Sequence, residues 1–152
     1  RCSGDIVVTS IHWGGNWGYE VSKEQRLFAH QLIDEAGVDV VHGHSSHHPK
    51  GIEVYREKPI IYGCGDLLND YEGISGYEEY RDDLSLMYFP SFSPGSGTLA
   101  GFKLVPIMIR NFRLNRPPVR DLQWLETMLN REGEKFGTGV KIDERNWLEL
   151  SW

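Results

Sequence analysis

The chain has 152 residues, 25% of them charged, and a formal net charge of −6, long enough for one domain with a real core. The acidic balance argues against a nucleic-acid binder, which carries a basic excess able to neutralise phosphates, and no run of about 20 apolar residues is present to cross a membrane. Two cysteines, Cys2 and Cys64, make neither a disulfide framework nor a zinc knuckle. Cys64 reads as a small buried side chain.

The sequence opens on Arg1 and enters its first strand almost at once, and we read residues 1–152 as one domain cut from a longer protein. Residues 6–11 are β-branched and nearly continuous, as a strand covered on both faces would be. Ser22 and Gln25 have the spacing of a capping box, and Leu27, Phe28, Leu32, Ile33 and Ala36 follow at helical spacing up to Gly37. Residues 38–41 form the next apolar run. A strand, a helix and a strand joined at these lengths predict a βαβ crossover with both carboxyl ends on one sheet edge. That edge receives His12-Trp13-Gly14 from one loop and Gly43-His44-Ser45-Ser46-His47-His48 from the other.

Farther on, residues 51–55 and 59–62 predict a hairpin around the charged turn Arg56-Glu57-Lys58. The polar stretch 65–83 predicts a long loop with one helical turn, and loops of that length are usually functional or mobile. Strand character returns at 84–89, and residues 91–97 are turn-rich. A long β stretch spans 98–114, with a bulge or edge position expected at Pro106. Pro117-Pro118 breaks it, and Leu122, Leu125, Met128 and Leu129 mark a second amphipathic helix with Asp121 near its positive end. Residues 147–152 predict a closing strand with Leu148, Leu150 and Trp152 on one face.

Neutral imidazole is a good ligand for zinc, manganese or iron, and adjacent parallel strands lie about 4.8 Å apart. His12, His44 and His47 are therefore the candidate ligands of a divalent metal ion. Glu53 and Asp66 are the candidate catalytic carboxylates, able to orient a ligand histidine or to act as general acid or base. Trp13, Asn16 and Trp17 are assigned to substrate contact, although Trp13 suits a core equally well. His42 is expected to face away from Val41, and His30 receives no function. Gly43-x-Ser45 begins like a nucleophile elbow but fails at His47, where that motif needs glycine. Between Lys103 and Arg120 lie Arg110, Arg113 and Arg116 with no acid among them, a stretch able to meet a polyanion or simply to guard a sheet edge.

Together these pieces resemble the bacterial capsule-synthesis CapA family of the calcineurin-like metallophosphatase superfamily. The resemblance rests on residues 7–14, on residues 25–34 ahead of 37–41, on Gly43-His44-x-x-His47 running into residues 51–55, and on residues 59–66. It implies the carboxyl-terminal half of a layered α/β/β/α sandwich with mixed sheets, and a role in making an anionic exopolymer of the poly-γ-glutamate type. Metal-binding histidines at 12, 44 and 47 and a metal-dependent hydrolase are implied for the complete protein. The family's early Gly-Asp and Asn-Asn-His motifs have no counterpart here, and Asp66 stands where relatives often carry Asn. The expected partners are the anionic polymer or its precursor, capsule-synthesis proteins and a second copy of the chain, with no nucleic acid. Membrane-associated or cell-surface placement is implied too, with no anchor in this segment. The competing reading is a non-enzymatic polymer-binding or assembly component that keeps the fold.

Overall fold

A computed structural model describes residues 4–70 and 73–152; Cys2 lies outside them. The first strand, β1 (Val8–His12), leads into helix α1 (Lys23–Asp34) and strand β2 (Val40–His44), and β1 and β2 pair in parallel. This is the expected crossover, with both strands shifted toward their carboxyl ends. The shift arises because the carbonyl of Val7 accepts from the backbone of Asp39 and Val40 while the Asp39 carboxylate accepts from Val7 N at 2.8 Å. Those bonds set the ladder to begin at Val8 opposite Val40.

Strands β3 (Ile52–Tyr55) and β4 (Lys58–Ile61) form the expected hairpin. Its turn is Arg56-Glu57, with φ of 49° and 60°, the left-handed pair that matches the twist of a two-residue hairpin. Because β4 also pairs in parallel with β2, the first sheet has the order β1-β2-β4-β3 and is mixed. On one side of it α1 buries Ala29 and Ile33 against Val41, Ile60 and Tyr62. The opposite side contributes Ile52 and Ile61 to a second core.

That second core belongs mainly to an antiparallel sheet. Its strands are β5 (Leu84–Phe92), β6 (Leu99–Ile109), β7 (Leu114–Asn115), β8 (Gly139–Ile142) and β9 (Leu148–Ser151), in the order β5-β6-β9-β8 with β7 on β6. Leu84, Leu86, Phe102, Leu104, Val140, Leu148 and Leu150 fill the space toward the first sheet. Helix α2 (Val119–Gly133) adds Leu125, Met128 and Leu129 to this core. Its Asn130 also exchanges hydrogen bonds with the backbone of Val140, and its Glu126 accepts from Ile142 N, so α2 covers the free edge of β8. The class is α/β with two sheets, as expected.

Three details differ from the sequence reading. The stretch 98–114 is two strands, because the chain turns back at residues 110–113 and pairs β7 with β6; of the two readings of Pro106 the edge position holds, and the register shift falls at Ser91/Phe92. Pro106 is tolerated because β9 holds β6 only at residues 103 and 104, and β7 only at 108 and 109. Strand β8 was not foreseen, and Trp152 ends 45% exposed rather than on the buried face. The long polar loop holds one 3-10 turn, Glu78–Tyr80.

Candidate functional site

Parallel registry sets His12 directly beside His44 and Ser10 beside His42. Strand alternation then gathers Ser10, His12, His42 and His44 on the face away from α1. The rings of His12 and His44 meet edge to face with centroids 5.3 Å apart, and those of His42 and His44 are 6.1 Å apart. Between the latter two, Ser10 Oγ lies 3.3 Å from His42 Nδ1 and 3.4 Å from His44 Nδ1. Burial, with the neighbouring His44 charge second, lowers the pKa of His42. His12 is exposed and the other two are half-buried, so solvent and solutes reach one end of this row.

The turn after β2 explains why His47 is not part of it. Gly43 packs so closely on the Trp13 indole nitrogen and the carbonyls of Ile61 and Tyr62 that no Cβ fits there. Past it, Ser45 adopts a φ of 131°, and its hydroxyl donates to Gly14 O and Asn16 Oδ1. His47 N donates to Asn16 O at 3.0 Å and Trp13 N to His44 O at 3.0 Å. These bonds lace the two loops together and carry the His47 ring to Asp66, where Nδ1 and Oδ2 are 2.9 Å apart, and against Trp17, with centroids at 5.2 Å. Among the described residues, no group of three His, Cys, Asp or Glu side chains is disposed to hold a metal ion. The three histidines expected to share an ion are thus not gathered into one such group among the described residues. His12 and His44 converge; His47 pairs with Asp66 instead.

The other sequence candidates divide sharply. Asp66 stands where it can orient a histidine, though the histidine is His47, and it also accepts from Asn69 Nδ2 at 3.2 Å. Glu53 lies on the other side of the first sheet, opposite Ile60 and facing α1. There it accepts from Arg26 Nη2 at 2.7 Å and Tyr62 OH at 2.6 Å and pairs with His30 Nε2 at 3.0 Å. Burial pushes its carboxyl pKa up, but the bonds from Arg26, Tyr62 and His30 outweigh this and hold it below the usual value. Glu53, a catalytic candidate in the sequence, is here a buried, paired anion on the opposite side of the sheet from the histidine row. His30, given no function, belongs to the same network.

Trp13 is likewise part of the helix-side core, donating to Tyr62 O at 2.9 Å and stacking on the Tyr62 ring. This is the core placement that the sequence equally allowed for it. Trp17 is stacked on Tyr77 with centroids 4.2 Å apart and an interplanar angle of 4°, so that face of the indole is taken. Asn16 is exposed and spends its side-chain oxygen on Ser45.

Comparison with known proteins falls in line with this arrangement. The model of the family described as bacterial capsule synthesis protein PGA_cap matches residues 1–71, the stretch that builds the histidine face and its two loops. The chain is 48% identical over 147 residues to a probable polyglutamine synthesis accessory protein of Mycobacterium tuberculosis, covering 97% of this chain and 38% of that protein. The chain resembles the bacterial capsule synthesis proteins, by the family model over residues 1–71 and by the mycobacterial protein over nearly all of this chain. Other such proteins are less similar. The PGA biosynthesis protein CapA of Bacillus subtilis is 34% identical over 84 residues, 55% of this chain and 21% of its own length. The capsule biosynthesis protein CapA of Bacillus anthracis is 30% identical over 84 residues, 55% and 19% respectively. The chain therefore spans well under half the length of the family members it matches.

Within this family framework, sequence reasoning missed a cleft beside the row. His42, Cys64, Gly65, Leu86, Met87 and Tyr88 line a space of about 400 Å³ where the two sheets meet. Tyr88 OH donates to Cys64 O at 3.1 Å, tying β5 to the end of β4. Burial raises the Cys64 thiol pKa, so it is a wall and not a nucleophile. Strand alternation around His42 was the available signal, since it placed that ring on the face opposite Val41. His48, also unassigned, is fully buried among Trp17, Tyr19 and Tyr80.

Proposed function

We propose that this chain acts as an accessory component in the synthesis of a glutamate-based capsule polymer, working with other capsule-synthesis proteins. The 48% identity to a polyglutamine synthesis accessory protein, across 97% of the chain, carries this reading. The histidine face is its functional surface: four polar side chains on adjacent strands, beside a cleft and reachable from solvent.

A finer reading is metal-dependent hydrolysis by the longer protein, with His12 and His44 supplying two ligands to zinc, manganese or iron. The paired rings at 5.3 Å support it. The described residues do not complete such a centre, so the remaining donors would come from beyond them and no catalytic step is assigned here. Disruption of the encoding gene tests the accessory role. The expected result is loss of cell-associated acidic polymer, measured as glutamate released on acid hydrolysis, with recovery on complementation. Undiminished polymer in the disrupted strain would overturn it.

A further inference from the structure

On the face of the antiparallel sheet turned away from the main core, an apolar groove of about 350 Å³ runs between Met87, Phe89, Val105, Leu114 and Trp147, with Arg116 on its wall. Phe89 and Leu114 are 50% and 44% exposed, unusual for large apolar side chains that sit together on a strand face. The groove floor is firm, since Phe89 and Trp147 lie nearly parallel, 14° apart with centroids at 6.4 Å.

Its rim is strongly basic. From Gly101 to Arg120 the sequence carries Lys103, Arg110, Arg113, Arg116 and Arg120 and no acid at all, in a chain of net charge −6. Arg110 and Arg113 close the hairpin between β6 and β7 through reciprocal backbone bonds of 3.0 and 3.2 Å. Asn111 and Phe112 at its tip have φ of 53° and 54°, and the Asn115 amide donates to the carbonyls of both Arg110 and Arg113. The arginines thus stand on a rigid turn. Among the described residues no carboxylate pairs with Arg110, Arg113 or Arg116, and Arg145 adds a fourth guanidinium, 5.9 Å from the Trp147 ring centre. The acids that do approach are Asp143, 3.8 Å from Lys103 and accepting from Arg145 N, Glu149, opposite Lys103 in the ladder, and Asp121, 3.6 Å from Arg120. Arg110 lines a neighbouring hollow with Asp82 and Asp83, so the groove's own charge rests on Arg116 and the nearby Arg113.

We infer that this groove binds an extended polycarboxylate chain of the glutamate type, a reading that rests on the accessory role proposed above. Guanidinium groups match carboxylates with paired N–H donors. The aliphatic stems between a glutamate polymer's amides and carboxylates fit an aromatic and aliphatic floor. A nucleic acid or a sulphated polysaccharide offers the charge without those stems.

Fluorescence anisotropy of the purified chain with a labelled polyglutamate probe tests the assignment. Arg113→Ala combined with Arg116→Ala, both exposed positions, should weaken binding about tenfold or more. Phe89→Ala should weaken it less, and salt should weaken it progressively. Unchanged affinity in the double variant, absence of binding, or equal affinity for a sulphated polysaccharide of similar length would each overturn the groove assignment. Failure of the accessory role is read separately, as unchanged polymer in the gene-disruption strain.

Discussion

His48 is strongly altered by its surroundings. It is fully buried, its Nδ1 lies 3.0 Å from Pro49 O, and its Nε2 has no hydrogen-bond partner among the described residues. Burial is the main reason its pKa falls to about 4 from an ordinary 6.5. Between those values the unfolded chain binds the proton that the folded chain refuses. Stability therefore holds above pH 6.5 and declines as pH falls toward 4, by at most ~3 kcal/mol from this group. Denaturant titrations across that window should show a shallower decline for His48→Gln than for wild type; parallel curves would contradict the assignment. Glu53 gives a second residue-scale expectation. Removing its carboxylate leaves Tyr62 OH and His30 without their partner, so Glu53→Ala should lose about 2–3 kcal/mol in urea unfolding. Polymer synthesis by the surviving folded protein should be unaffected, because Glu53 is on the helix side.

Among the elements, α1 is fixed at its start by a complete capping box: Gln25 N donates to Ser22 Oγ and Ser22 N to Gln25 Oε1. Ser22→Ala should cost about 1 kcal/mol, read as a lower urea midpoint with unchanged slope. That cap, the crossover and the hairpin were legible because each is a local pattern of few residues. The placement of His12 beside His44 was legible too, since parallel strands of matched length bring their ends together. What escaped was set by contacts distant in sequence. Glu53 sits among apolar neighbours on both sides, and only Arg26 and His30, one helical turn apart on α1, explain why a carboxylate turns inward there. Those two residues at i, i+4 were the usable signal. The pairing of His47 with Asp66 was not legible, because turn geometry, with Ser45 at positive φ, directs the ring in a way that His-x-x-His spacing does not encode. Strand β8 is four residues long, and its alternation of Val140 and Ile142 is too short to stand out before β9 is known to lie beside it.

Across the whole molecule, the two sheets meet over one core but leave two surfaces poorly covered. One is the face of β1, where Val8 is 58% exposed beside the histidine row; the other is the arginine-rimmed groove on the antiparallel sheet. An acidic protein with an imidazole face on one sheet and a basic, aromatic groove on the other suits the handling of a long polyanion better than the binding of one small molecule. The most direct test is the yield of acidic polymer in a strain whose only copy of the gene carries His12→Ala with His44→Ala, two side chains outside the main cores. A several-fold drop in polymer, with normal amounts of the protein, is the expected result. Wild-type yield from that strain would contradict the claim that the strand-end histidines form the functional surface of this chain.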